Sequence, residues 1–432
     1  MMRGILYITA SLQEFFLRDL CVSVVNFIFL FGSDYAGLGI APKQVPGISS
    51  PTFMETGLSS KKYRIAMIRQ RFRFDGGGER IVSRMKSILE NQGHHVTLIT
   101  RKWQEDSGAV ICCNPPKLTR VLRDSLFAKR ALQASREHGF DLVQSHERIP
   151  GSMVYRAGDG VHASWLEQRS RTMSWLSRQS QRFSSYHRYV LKAEKELFEH
   201  SNLRAVICNS RMVQQEIAER FSIDASKLKL IYNGVDTDIF HPESRKHRVS
   251  VRKQLNIPEQ ASVYLFVGSG FQRKGVNRLL KALKEMAKGY AIIVGRDKSM
   301  KHSERLCQDW EIADRVRFVG VQKEVAPYYG AADAFVLPTL YDPFPNSVME
   351  AMACGLPVIT SKKCGGAEFI QNGENGFICD ALDHPAMVEA MKYLDSNEQA
   401  RIMGENARKT IEPHTLLTMN DQLTSLYQNL LT

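Results

Sequence analysis

The sequence predicts an α/β protein built from two doubly wound, Rossmann-like domains in tandem, and three observations carry that expectation. At 432 residues the chain exceeds what one hydrophobic core usually organises, with apolar and charged fractions of an ordinary globular protein. From residue 63 onward, short apolar runs alternate with stretches of helical periodicity, the pattern of parallel strands joined by crossover helices. The alternation stops once, at the turn Asn233-Gly234-Val235-Asp236 and the charged stretch 241–252, and then begins again.

Residues 1–61 read as a leader and linker of disordered character. The apolar run at 20–32 is too short for a spanning helix and has Arg18 and Asp19 at its edge. The start offers only Arg3 as a basic residue and no clear cleavage site follows, which argues against a signal sequence. Residues 41–60 are rich in Pro, Gly, Ser and Thr, a linker composition. In the first domain, 62–236, strands are expected at 63–68, 95–100, 142–144, 153–155, 205–209 and 228–232. A helix at 79–92 completes the first βαβ unit, and another over 211–221 opens at Ser210. In the second domain, 237–410, strands are expected at 263–267, 291–294, 316–319, 334–337 and 357–360. The tail 411–432 holds a helical stretch, 415–431, able to pack back onto the N-terminal domain.

Lys and Arg outnumber Asp and Glu by 58 to 45, a formal charge of +13, so part of the surface should attract phosphates or other polyanions. The eight cysteines include only one adjacent pair, Cys112-Cys113, and lack the spacing and His partners of zinc sites. They read as reduced thiols in a cytosol.

Three segments carry chemistry. Phe74-Asp75-Gly76-Gly77-Gly78-Glu79-Arg80 joins the first strand to the first helix, where free backbone amides favour an anion, although the glycines lack the G-x-G-x-x-G spacing of a dinucleotide fold. Gly268-Ser269-Gly270-Phe271-Gln272-Arg273-Lys274-Gly275 repeats that geometry in the second domain. Its two adjacent cations suit a diphosphate leaving group whose charge must be neutralised as a glycosidic bond breaks, without a metal. The stretch 341–359 runs from a loop through a helix opening near Asn346 to a strand. Asp342 in the loop can accept from sugar hydroxyls, and Glu350 on the helix can hold a ribose diol. Phe344, Asn346 and Ser347, around Pro345 where the helix begins, place free amides toward phosphate or sugar oxygens.

From about residue 63 to the C-terminus the chain resembles the family-four retaining glycosyltransferases of the GT-B fold, whose signature is an acidic residue, seven others and Glu. It is most similar to the lipopolysaccharide core glucosyltransferase I group, through Val267-Gly268-Ser269 with Arg273-Lys274-Gly275-Val276, Val294-Gly295-Arg296-Asp297-Lys298, Val154-Tyr155-Arg156-Ala157-Gly158-Asp159, and the segment around Glu350. The resemblance implies an acceptor-binding N-terminal domain facing a nucleotide-sugar-binding C-terminal domain across a cleft. In it Glu350 binds the ribose, Asp342 the donor sugar, and Arg273 and Lys274 the diphosphate, while Gly77 and Gly78 line the donor side. Asp159 lies beside the reacting centre, where it orients the acceptor hydroxyl. Asp342 stands where the family usually has Glu. The implied reaction is metal-free transfer of a hexose, glucose from UDP-glucose, to a lipopolysaccharide core heptose or related glycolipid, with the leaving phosphate accepting the acceptor's proton. This front-face route needs no second carboxylate, unlike that of retaining glycosidases.

Residues 156–192 hold seven Lys or Arg against Asp159 and Glu167, interleaved with Trp165, Trp175, Phe183, Tyr186 and Tyr189. That mixture suits an anionic headgroup layer or a phosphorylated lipid acceptor; the alternative is a solvated face with its aromatics turned to the core. The expectation is a cytoplasmic enzyme, peripheral on the inner membrane, with no nucleic-acid partner. His146 and His162, near the same cleft, read first as structural histidines. An epimerase, a non-transferring nucleotide-sugar-binding or lectin-like protein, and a nicotinamide-dependent reductase are the rival readings. The polar set at 273–274 and 342–350 counts against the first two, and the missing G-x-G-x-x-G against the third.

Overall fold

Strand order in each half places a crevice where the two doubly wound series reverse. The computed structural model describes residues 61–71, 77–102, 109–116 and 118–432; the leader with its apolar run, and residues 72–76 of the first glycine loop, lie outside them. The first sheet holds β1 (Arg64–Ile68), β2 (His95–Thr100), β3 (Val110–Cys112), β4 (Leu142–Ser145), β5 (Val154–Arg156), β6 (Ala205–Cys208) and β7 (Leu228–Leu230), in the order β3-β2-β1-β4-β5-β6-β7. The second holds β8 (Val263–Val267), β9 (Tyr290–Val294), β10 (Val316–Gly320), β11 (Ala334–Leu337), β12 (Val358–Ser361) and β13 (Gly376–Cys379), in the order β10-β9-β8-β11-β12-β13. All of these pairings are parallel: Ile65 stands opposite Val96 and Leu142, and Leu265 opposite Ile292 and Phe335. The order reverses beside β1 and beside β8, and open α/β sheets bind ligands at the carboxyl ends of strands at such points.

The central strands are buried on both faces, Ile65 to Ile68 and Val263 to Phe266 alike, because helices cover each side of a parallel sheet. That is why they are continuous apolar runs in the sequence. The helix Arg211–Arg220 opens as expected at Ser210, whose Oγ accepts from the Val213 amide at 3.2 Å. Strands β3 and β13 had no counterpart in the sequence reading. They are short, half-buried edge strands and lack the two-sided burial that writes a clear apolar run.

The charged stretch after the turn at 233–236 folds onto the second half as a 3-10 turn, Pro242–His247, and a helix, Arg248–Gln254. Arg252 is buried there, donating to the Ala331, Glu259 and Ala261 carbonyls and to Asp333 Oδ2 at 2.7 Å. A charge inside the protein is tolerable when every donor is used in this way. The helix Asn397–Ile411 completes the second core through Ala400, Met403, Ala407 and Ile411. The chain then crosses back beside the first crossing, with Val235 N donating to His414 O at 3.0 Å and Leu416 N to Val235 O at 3.2 Å.

The last helix, Leu416–Leu431, lies on the first half, where Met419, Leu423, Leu426 and Tyr427 join Ile81, Val82 and Met85 in one core. Tyr427 Oη donates to the buried Gln144 Oε1 at 2.8 Å. Leu423→Ala leaves a cavity in that core and is expected to destabilise the protein by about 2–5 kcal/mol, read as a lowered midpoint in reversible urea unfolding.

Candidate active site

The C-terminal ends of β8 and β11 meet the β5 end of the other sheet around a cleft of about 510 Å³. Asp159, Arg273, Lys274, Asp342, Phe344, Pro345, Asn346, Ser347 and Glu350 all line it, joined by Arg69, Arg156, Asn209 and Asn233. The glycine loop after β8 is shaped from beneath by the turn after β9. Gly295 sits against the main chain of Gly268, where a Cβ would strike the Gly268 carbonyl. Asp297 Oδ2 accepts from the Gly270 amide at 3.0 Å, and Oδ1 from the Ser299 amide at 2.9 Å. Burial pushes the Asp297 pKa up, but bonds from Ser299, Gly270 and Phe271 outweigh it and hold the carboxyl below its ordinary value. The Val294-Gly295-Arg296-Asp297-Lys298 stretch thus supports the loop that presents Arg273 and Lys274.

These two cations do not stand alone in the cleft. Arg273 Nη1 and Lys274 Nζ each lie 3.1 Å from Asp342 Oδ2. Asp342 is buried, which raises its pKa, yet the fields of Lys274 and Arg273 prevail and hold it below the usual carboxylate value. Its main chain is pinned by Asp342 N to Lys363 O at 3.0 Å and Gly365 N to Asp342 O at 2.8 Å. Arg273 Nη1 also donates to Tyr341 O at 2.7 Å. The short Asp side chain therefore sits back among the cations, and the three groups together carry one net positive charge.

Glu350 projects from the helix Asn346–Ala353 and its Oε2 accepts from the buried Tyr329 hydroxyl at 2.8 Å. That helix starts at Pro345 with no side-chain cap. Asn346 Oδ1 accepts from Asn233 Nδ2 at 2.7 Å, and Asn233 Oδ1 accepts from Arg156 Nη2 at 2.6 Å, a polar chain linking the two halves across the floor of the cleft. Burial lowers the Arg156 pKa to about 10. Among the described residues three cleft atoms are buried without a hydrogen-bond partner: Asp342 Oδ2, which the two cations face as an ion pair, and Ser347 Oγ and Asn209 Oδ1. A buried polar group left unpaired costs about 1–3 kcal/mol, so the Asn209 oxygen favours an occupant with a hydroxyl to donate, and the Ser347 hydroxyl one with a hydroxyl or phosphate oxygen to accept.

Asp159 lies on the opposite wall, largely exposed, with Arg148 Nη1 at 3.9 Å from its Oδ2. Gly77 and Gly78 form the first turn of the helix Gly77–Asn91 rather than an open loop, and the described residue of this helix that reaches the cleft is Ile81. His146 and His162 are not at the cleft surface. His146 Nε2 contacts Gln144 at 3.1 Å, and burial drives its pKa well down. His162 Nε2 pairs with His187 Nδ1 at 3.1 Å, its pKa pushed down to about 3 by burial and by Arg148. His146 is buried and His162 half-buried, and each spends a ring nitrogen on a protein partner. Asn209 and Asn233 had no motif to announce them; each follows a strand in a short turn, Cys208-Asn209-Ser210 and Tyr232-Asn233-Gly234, which was the available signal. Among the described residues no cluster of three His, Cys, Asp or Glu is placed to hold a metal ion.

Two family profiles match the chain in tandem: Glycosyltransferase Family 4 over residues 75–239 and Glycosyl transferases group 1 over residues 248–410, together about three quarters of its length. The chain belongs to the GT-B glycosyltransferases. This glycosyltransferase is 25% identical over 358 residues to the lipopolysaccharide glucosyltransferase WaaG of Escherichia coli (strain K12), across 80% of its own length and 94% of that protein. It is also 25% identical over 350 residues to the lipopolysaccharide core biosynthesis glycosyltransferase LpsE of Rhizobium meliloti (strain 1021), across 78% and 91%. Its fold matches the crystal structure of WaaG with a TM-score of 0.74 at 24% identity, over 84% of this chain and 99% of that one. Anabaena HepE in complex with UDP and glucose shares the fold with a TM-score of 0.66 at 18% identity, over 85% and 100%.

On the reading proposed below, a diphosphate arriving at Arg273 and Lys274 competes with Asp342 for them, and Asp342→Asn has opposed effects. UDP is expected to bind as tightly as to the wild type or up to about tenfold tighter, about 1.4 kcal/mol. Turnover falls about a hundredfold or more. Calorimetric titration with UDP and initial rates measured side by side check both signs.

Proposed function

We propose that this glycosyltransferase moves glucose from UDP-glucose to a lipopolysaccharide core heptose or related glycolipid, with retention of anomeric configuration and without a metal ion. The observation that carries the reading is the arrangement of Arg273 and Lys274 around Asp342, on one cleft wall with the orphaned Ser347 Oγ and the uncapped helix at Asn346. Cations and free amides on one wall suit a diphosphate, and Glu350 beyond them suits a ribose diol. The glucosyl C1–O bond to the β-phosphate breaks as the acceptor oxygen bonds to C1 from the same face, and the acceptor's proton passes to a phosphate oxygen. Arg273 and Lys274 stabilise the charge that develops on the diphosphate, Asp342 holds the sugar, and Asp159 orients the acceptor hydroxyl from across the cleft. The names of the relatives, two acting in lipopolysaccharide synthesis, support the donor and acceptor classes.

A membrane-surface acceptor fits the helices that follow Asp159. The helix Trp175–Phe183 buries none of its residues, and Trp175, Leu176 and Phe183 are 68%, 72% and 74% exposed beside the exposed Arg178 and Arg182. The aromatics at 175 and 183 are therefore not turned to a core, which leaves the interfacial reading of this segment standing, on the cytoplasmic face of the inner membrane. Among the described residues no helix is long and apolar enough to cross a membrane.

The test is nucleotide release from UDP-, GDP- and ADP-sugars with truncated lipopolysaccharide cores as acceptors, in the presence of a chelator. UDP-glucose is expected to lead. Lys274→Ala is expected to lower kcat about 10²–10³-fold, and Glu350→Ala chiefly to weaken UDP binding. Dependence on added divalent metal, or full turnover in both variants, contradicts the reading. Replacing Arg178 and Arg182 together by Gln is expected to abolish sedimentation with anionic liposomes; unchanged sedimentation removes the membrane claim.

A further inference from the structure

Tyr341 precedes Asp342 on the donor side of the cleft, yet its phenol is buried in the other half of the molecule. Its oxygen accepts from the Val161 amide at 2.9 Å and donates to Glu216 Oε2 at 2.8 Å, while Glu216 Oε1 takes Lys363 Nζ at 2.9 Å. The neighbouring Gly160 is shaped around it. At φ 64 this glycine occupies a conformation that residues with a Cβ rarely adopt, and a Cβ there would strike the Tyr341 hydroxyl and lie 2.7 Å from Pro343 Cγ. On the acceptor side the same loop is held from behind, with Arg148 Nη2 donating to Gly160 O at 2.8 Å. Two of the site's three carboxylates flank this contact: Asp159 stands two positions before Val161, and Asp342 directly after Tyr341.

Other bonds tie the halves together. Asn233 meets Asn346, the Arg211 amide meets Glu368 at 3.1 Å, and Arg171 grips Asp380 in a two-pronged ion pair at 2.7 and 3.1 Å. None of these reaches residues 159–161. The Arg171 pair is exposed, and such pairs hold little. The Tyr341 hydroxyl is buried, used as both donor and acceptor, and bonds a backbone amide whose direction is fixed by the loop.

We infer that Tyr341 is a positioning residue for the transfer step: its hydroxyl fixes the spacing between the Asp159 loop and the Asp342 loop, and so between acceptor hydroxyl and donor sugar. The inference rests on the proposed transferase reading and deepens it. A small displacement of one reactant costs far more in turnover than in donor binding, because the groups assigned to the donor, Arg273, Lys274, Asp342 and Glu350, all lie on the second half. Loss of the phenol oxygen therefore separates kcat from KM.

Tyr341→Phe keeps the ring and removes only the hydroxyl. Glu216→Gln keeps a side-chain oxygen for the phenol to donate to, gives up only the ion pair with the partly exposed Lys363, whose ammonium can turn to water, and serves as the conservative variant. In Tyr341→Phe, hydrogen exchange at the Val161 amide is expected to speed up at least tenfold relative to neighbouring core amides. With UDP-glucose and truncated lipopolysaccharide core, kcat falls at least tenfold while KM for UDP-glucose stays within threefold. Glu216→Gln stays near the wild type in both, and Gly160→Ala follows Tyr341→Phe. Unchanged Val161 exchange, or a fall in kcat that comes with a matching rise in KM and a lowered thermal midpoint, overturns the inference. If the wild-type protein fails to turn over UDP-glucose, the transferase reading falls, and Val161 exchange decides separately whether the hydroxyl holds the loop.

Discussion

Everything at the cleft depends on how a buried carboxylate is compensated. Asp342 is out of water, where a lone charge would neutralise itself, and only the two cations within 3.1 Å of one of its oxygens keep it ionised. The requirement runs both ways, since Arg273 and Lys274 are held forward into the cleft by the same carboxylate. Their loop is in turn held from beneath by Asp297 and the close approach of Gly295, and the Asp342 loop is held from behind by residues 363–365. The result is a charged cluster that is preorganised yet only partly neutralised, so a diphosphate arriving there meets one residual positive charge and donors already aimed.

The two halves contribute differently. The second offers rigid material: strand ends, an uncapped helix and a buried Tyr329 steadying Glu350. The first offers an exposed Asp159 on a loop whose position is set by partners elsewhere, Arg148 behind it and Tyr341 across the cleft. A reaction joining a donor held on one half to an acceptor held on the other needs this kind of reference between them. The chain crosses between the halves twice, side by side at 235 and 414–416, so the interior contacts rather than the connections carry the alignment.

Much of the fold was legible because its central strands are buried on both faces and therefore spell apolar runs, and because glycines in the sequence mark where β1 and β8 give way to helices. The edge strands β3 and β13 were not legible, being half-wet and three or four residues long. At the site, the residue types at 273–274 and 342–350 announced their chemistry through charge and spacing. Their relation did not show: nothing in sequence order says that Asp342 pairs with Arg273 and Lys274, or that Tyr341 reaches Val161, 180 positions away. Asn209 and Asn233 escaped notice because an Asn after a strand is ordinarily a turn residue, and only the fold reveals that both turns open onto the cleft. His146 and His162 illustrate the converse, polar residues near the site in sequence whose side chains are spent on other side chains, Gln144 and His187, away from the cleft.

On the proposed reading a nucleoside diphosphate sits along one wall of the cleft, from Arg273 and Lys274 to Glu350. A crystal structure of the protein soaked with UDP is the decisive measurement. The β-phosphate is expected within hydrogen-bonding distance of Lys274 Nζ and the Arg273 guanidinium, with the ribose hydroxyls on the Glu350 carboxylate. A nucleotide bound anywhere else, with the Asp342 cluster left as it stands, contradicts it.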